Sequence, residues 1–158
     1  MLKRILSLTV IFSSLFVTSA FAEVSEETAY ILNSFLFLVS GFLVMLMALG
    51  FCLLESGMVT SKSVSAIAAK NIGLYSISGI MFWLVGYNLA YGIPEGGYIG
   101  SFTTWTDGSA LADGYSASSD WFFQMVFCAA TASIVSGTLA ERIKIWPFFL
   151  FAAILTGI

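Results

Sequence analysis

Few side chains in this sequence could do chemistry, and several fall in one stretch, DWFFQMVFCAATASIVSGTLAER, residues 120–142. Phe123 and Phe127 are four residues apart, so on a helix their rings stack on a single face. Gln124 lies beside them and, about a turn inside an apolar segment, needs a polar partner or a wet vestibule. On spacing alone, two phenylalanines on a membrane helix are more often lipid contact or packing than the lining of a passage. Glu55 and Glu141 stand at the ends of apolar runs close to Lys62 and Arg142, where pairing or interfacial solvation is the expected role. Cys52 and Cys128 sit inside apolar runs and read as small buried hydrophobes near opposite faces of a bilayer. Histidine is absent from the sequence. That excludes imidazole metal sites and Ser-His or Cys-His catalysis. No phosphate loop, metal cluster or nucleophile with its base is present, so an enzyme, a metal and a cofactor are all unexpected.

The elements that must position these residues follow from composition. Of 158 residues, 59% are hydrophobic and 9% charged, against about 25% charged in a soluble domain. Such a chain belongs in a membrane, and its few basic residues suit no nucleic acid. Residues 1–22 have the anatomy of a signal peptide: Lys3 and Arg4, an apolar run, then Ala20-Phe21-Ala22. The alternative is an uncleaved first helix. Residues 23–158 then read as an all-α integral membrane protein, a polytopic helix bundle. Its helices are expected at about 29–54, 71–92 and 121–140, with a fourth at 145–158 that is unfinished. The first reaches roughly 39 Å, enough to cross with some tilt, whereas the fourth reaches only about 21 Å against a core of about 30 Å. Pro94 stops the second.

Charge sets the expected orientation. Lys62, Lys70, Arg142 and Lys144 fall on one side, and the loop 93–120 holds Glu95, Asp107, Asp113 and Asp120 without a cation. The positive-inside rule makes the basic side cytoplasmic and puts the mature N-terminus outside, in a multi-pass protein of the cell inner (plasma) membrane. The loop is either a partly ordered cap or a flexible connector. Ala129, Ser133 and Gly137, the neighbouring stripe Ala132, Ser136 and Ala140, and Gly73, Gly79 and Gly86 allow close helix approach. They suit the interior of a larger bundle, and an ordinary helix pair equally.

Three motifs converge. GFCLLESGMVTSK (50–62), FWLVGYNLAYG (82–92) and FFQMVFCAATASIVSGTLAERIK (122–144) resemble, in order and spacing, the first three helices of the ammonium transporter (Amt/Mep/Rh) family. The third motif is the most specific. The resemblance implies ammonium or ammonia as substrate, membrane lipid as surroundings, a homotrimer of eleven-helix subunits in the full-length form, and a cytoplasmic regulatory protein as a possible partner. It also implies that Phe127 is the aromatic of the outer recruitment site and one ring of the gate, with Phe123 one turn nearer the mouth. Gln124 matches the family glutamine, a vestibule contact without an assigned function. The family often has Lys-Asn where this chain has Lys62-Ser63. Its recruiting tryptophan, buried aspartate, paired lumenal histidines and second gate phenylalanine are expected beyond residue 158. The chain is therefore expected to be the N-terminal portion of an ammonium channel, not conducting alone. The alternatives are a non-conducting subunit that regulates full-length transporters and a membrane ammonium-sensing module.

The implied physics is consistent. A cation losing its water can rest against an aromatic face, worth about 2 kcal/mol or more when desolvated. A bare ion in an apolar lumen is costly, so the family parts the proton from ammonia and passes the neutral molecule.

Overall fold

A computed structural model describes residues 24–94 and 96–158; the expected signal peptide over residues 1–22 lies outside them. Every regular element among the described residues is helical. Helix α1 (Glu26–Met58) opens on Ser25, whose hydroxyl accepts from the Thr28 N–H at 3.3 Å, with Glu26 and Glu27 in its first turn. An N-cap hydroxyl and early carboxylates both suit the positive end of the helix dipole. Helix α2 (Val64–Met81) runs through a π-turn (Phe82–Gly86) into α3 (Tyr87–Tyr91), together one span of 28 residues. Helix α4 (Ala117–Thr138) follows the long loop, and α5 (Ile145–Gly157) closes the described bundle. The spans α1, α2–α3 and α4 are each long and apolar enough to cross a membrane. The chain is a multi-pass membrane helix bundle, as expected.

Four helix limits differ from expectation, for one reason. Charged residues at the ends of uncharged runs were assigned to loops, yet helices carry them when a partner or a cap is at hand. Glu26 and Glu27 belong to α1, which continues past Glu55 to Met58. Lys70 is a full turn and more inside α2, which starts at Val64 rather than near 71. Asp120 lies in the first turn of α4, which starts at Ala117 rather than 121.

Helix α4 is the hub. Helix α1 lies along one side of it, while α2 contacts both α4 and α5. Leu74, Ala132, Phe148 and Ala152 join α2, α4 and α5 in one buried cluster. Phe82, Met125 and Val126 form a second cluster toward the acidic end, with Trp121 and Phe122 packed against it. The two small-residue stripes of α4 make this approach possible: Ala129, Ala132, Ser133 and Ser136 are all buried. Helix α1 buries only Gly41 and Glu55. Much of the rest of its surface, including Phe35, Leu36, Leu43 and Leu53, is exposed and apolar, as hydrocarbon contact requires. Two buried hydroxyls turn back on their own helices. Ser133 donates to the Ala129 carbonyl at 3.0 Å and Thr156 to the Ala152 carbonyl at 2.8 Å, so neither leaves an unpaired polar group in an apolar medium.

The loop between α3 and α4 folds back as a cap, resolving the alternative left by its composition. Asn88 donates through its amide to the Thr103 carbonyl at 2.9 Å, and Trp105 N–H donates to the Trp83 carbonyl at 2.9 Å. The Trp105 ring lies 5.4 Å from that of Trp121. Asp107 fastens the rest: its carboxylate accepts from the Ser109 hydroxyl at 2.6 Å, the Ser109 N–H at 3.1 Å and the Ser118 hydroxyl at 2.8 Å.

Two predictions come from this architecture. A Cβ at Gly86, in the π-turn, would stand 2.7 Å from the Thr156 carbonyl oxygen, a backbone atom with little room to retreat. Gly86→Ala is therefore expected to destabilise the protein by about 1–3 kcal/mol, the usual range for overpacking. Thermal unfolding in detergent measures this, and an unchanged midpoint contradicts the close contact. The second concerns pH. The Ser109 hydroxyl above all, then Ser118 and the Ser109 N–H, hold the Asp107 carboxyl below the ordinary carboxylate range. A depressed pKa gives stability that is present above the ordinary value and lost as pH falls through the depressed one. Protection of the amides of residues 100–116 against hydrogen exchange, taken relative to the intrinsic rate at each pH, should therefore hold at neutral pH and be lost only below the usual carboxylate range. Asp107→Asn should abolish that step; an equal acid response in the variant counts against it.

Candidate functional site

Polar side chains inside the bundle gather in two places, near the acidic end and near the end that carries Lys62, Arg142 and Lys144. The acidic end holds the residues expected to matter. On α4, Phe123 and Phe127 do stack: their ring centroids are 5.1 Å apart with planes at 82°. They differ in surroundings. Phe123 is half-buried and leans on Phe37 of α1, centroids 5.5 Å apart. Phe127 keeps 43% of its surface exposed, so its ring is open to a neighbour.

Gln124 has the polar partners its position demanded. Its carbonyl oxygen accepts from the Tyr91 hydroxyl at 2.9 Å, and its amide donates to Asp120 at 3.3 Å. The other Asp120 oxygen accepts from the Tyr87 hydroxyl at 2.7 Å. Asp120 is 9% exposed, and it has no cationic partner among the described residues. Asp120, Gln124 and Phe127 follow one another at i, i+4 and i+7, so a carboxylate, an amide and an open ring descend one stripe of α4. The ring lies about 10 Å below the carboxylate along the axis. Sequence reading assigned Asp120 to the loop and missed it. The signal was its placement four residues before Gln124.

The other polar cluster was not foreseen either. Glu55 was expected beside Lys62 at a wet interface. Instead it is 3% exposed, and its Oε2 lies 3.0 Å from Nζ of Lys70. The same oxygen accepts from the Asn71 amide at 3.1 Å and the Ser136 hydroxyl at 3.2 Å. Lys70 also donates to the Ser136 carbonyl at 3.1 Å. Lys70 and Asn71, adjacent on α2, thus both serve the Glu55 carboxylate. Glu141, by contrast, is exposed and meets no cation among the described residues. Its carboxylate accepts from the Thr60 hydroxyl at 2.6 Å and the Thr60 N–H at 3.1 Å. Hydrogen bonds from Thr60, then Ser63, hold the Glu141 carboxyl below its ordinary range. Its backbone is left-handed, φ 61°, a conformation that costs a non-glycine residue about 1–3 kcal/mol and persists only where neighbours hold it. Both cysteines are free and half-buried rather than buried; the Cys128 thiol points to the Thr156 carbonyl, 3.7 Å away.

None of these arrangements pairs a nucleophile with a base. What they offer is a carboxylate, hydrogen-bonding groups and an aromatic face along one helix, the parts needed to hold and desolvate a small cation. Known proteins point the same way. The family model described as Ammonium Transporter Family matches residues 35–158. Ammonium transporter Amt2 of Archaeoglobus fulgidus is 36% identical over 124 residues, which is 77% of this chain and 25% of that protein. Ammonium transporter Amt2 of Methanocaldococcus jannaschii is 35% identical over 127 residues, 78% of this chain and 30% of its own. An ammonium transporter of Aquifex aeolicus is 31% identical over 140 residues, 85% and 33% respectively. The chain spans about a quarter to a third of the length of these relatives. With the matched region covering nearly all of the helical bundle, the chain belongs to the ammonium transporter family, a family of transporters rather than enzymes.

Proposed function

We propose that this chain forms the opening helices of a pathway that carries ammonium or ammonia across a membrane, with α4 as one wall of its mouth. The observation that carries this reading is the stripe of α4 on which Asp120, Gln124 and Phe127 stand in line, with the Phe127 ring exposed and its neighbour Phe123 stacked edge-on. A carboxylate without a cation raises the local concentration of cations. The Tyr87 and Tyr91 hydroxyls and Gln124 orient it and each other. Below it, the Phe127 face holds a cation that has begun to lose water, by about 2 kcal/mol once desolvated. Deeper in α4 the next residues are small and no carboxylate is present before Glu141. A neutral molecule suits that stretch; an ion does not.

In this reading the acidic end faces outward, with the mature N-terminus outside, and the basic end faces the cytoplasm across the inner (plasma) membrane. Phe127 is the recruiting ring and Phe123 its support. The passage needs further walls, since the Phe127 face is open among the described residues, and other segments of the transporter together with a homotrimeric assembly would supply them. A cytoplasmic regulatory protein would meet the basic end.

The test is Phe127→Ala in the intact transporter, scored by methylammonium uptake in competition with potassium. Loss of a desolvated cation–π contact is expected to reduce discrimination by roughly tenfold or more. Unchanged discrimination removes Phe127 from the pathway.

A further inference from the structure

The cluster around Lys70 has the form of a receptor. The Lys70 ammonium is 3.0 Å from Oε2 of Glu55 on α1, donates at 3.1 Å to the Ser136 carbonyl on α4, and sits 5.1 Å from the ring centroid of Phe148 on α5. Lys70 itself comes from α2, so four helices meet at one nitrogen. All the surrounding groups are closed off from solvent: Glu55 is 3% exposed, Ser136 0% and Phe148 1%. A carboxylate, a carbonyl and an aromatic face are the three kinds of group that bind an alkylammonium head. One acceptor is unspent. Oε1 of Glu55 is buried without a hydrogen-bond partner among the described residues. An ammonium ion with one more N–H than a lysine head could use it.

We propose that Glu55, the Ser136 carbonyl and Phe148 form a buried site for a primary ammonium ion, and that its resident is the chain's own Lys70 side chain. The tether makes occupancy permanent, which keeps the four helices together and excludes free ammonium. Cutting the tether exposes the site. Lys70→Ala removes Cγ, Cδ, Cε and Nζ, a fragment equivalent to n-propylammonium, and leaves a cavity of that shape next to an unpaired carboxylate. Free propylammonium then restores both the charge and the lost contacts. Methylammonium and ammonium restore the charge with fewer contacts.

Rescue of stability tests this directly and needs no transport. The intact Lys70→Ala protein in detergent is titrated with propylammonium, methylammonium, ammonium, sodium and neutral propanol at constant ionic strength, and thermal unfolding is followed. A ligand that binds only the folded state raises the midpoint in proportion to the logarithm of its concentration beyond Kd. Propylammonium is expected to act at the lowest concentration, then methylammonium, with sodium and propanol ineffective and the original protein unresponsive. Glu55→Gln added to Lys70→Ala should weaken the amine response by about tenfold or more, as loss of a charge-assisted hydrogen bond does. Equal rescue by sodium or propanol, or an undiminished response in the double variant, overturns the site. If Lys70→Ala is recovered poorly, the same additives are included during expression and solubilisation, and the yield of monodisperse protein is read. A yield no better with propylammonium than with sodium also overturns it.

Discussion

A charge inside hydrocarbon must find an opposite charge and spare hydrogen bonds, or its helix does not stay there. Glu55 and Lys70 meet this requirement for each other, and the rest of the bundle is arranged around the contact. The pair alone does not satisfy the carboxylate; Asn71 and the Ser136 hydroxyl complete one oxygen. Because the ligands come from α1, α2 and α4, with the Phe148 ring of α5 against the ammonium, the electrostatic requirement sets which helices are neighbours. Small residues then decide how near they come. Ser136 serves both needs, with a side chain short enough for close approach and a hydroxyl and carbonyl that each accept or give a hydrogen bond in the cluster.

The acidic end depends on that arrangement. With α2 fixed against α4 at the basic end, the continuation of α2 through the π-turn brings Tyr87 and Tyr91 alongside Asp120 and Gln124. A π-turn shifts the face that follows it relative to an unbroken α-helix, and Gly86 lets that shift occur against the backbone of α5. The loop cap, pinned by Asn88 and Trp105, then covers the same end. Phe127 is left uncovered on the stripe that these contacts orient.

The sequence made the number and class of the helices plain because uncharged runs long enough to span are rare in soluble chains. It also made Phe123 and Phe127 stack, since four residues on a helix is a geometric statement. Their unequal exposure was invisible, because Phe37 reaches Phe123 from 86 positions away in the chain. Lys70 was misplaced for a more general reason. Counting cations at the ends of apolar runs treats each as solvated, and only the partner on another helix, Glu55, shows that this one is not. Asp120 was misplaced in the same manner, its hydroxyl partner Tyr87 lying on the preceding span. Charges near helix ends are where one-dimensional reading is weakest, since burial there is decided between helices.

The most direct measurement of this account is a double-mutant cycle on the pair, using Glu55→Gln, Lys70→Met and the two together, read as unfolding free energy in detergent. Each single change leaves the other charge buried and alone, and should cost about 3–5 kcal/mol. Removing both leaves no charge to compensate, so the double variant should recover most of that loss, giving strong coupling between the sites. Additive losses, or single variants as stable as the original protein, would show that the contact does not hold the helices together and would contradict the account at its base.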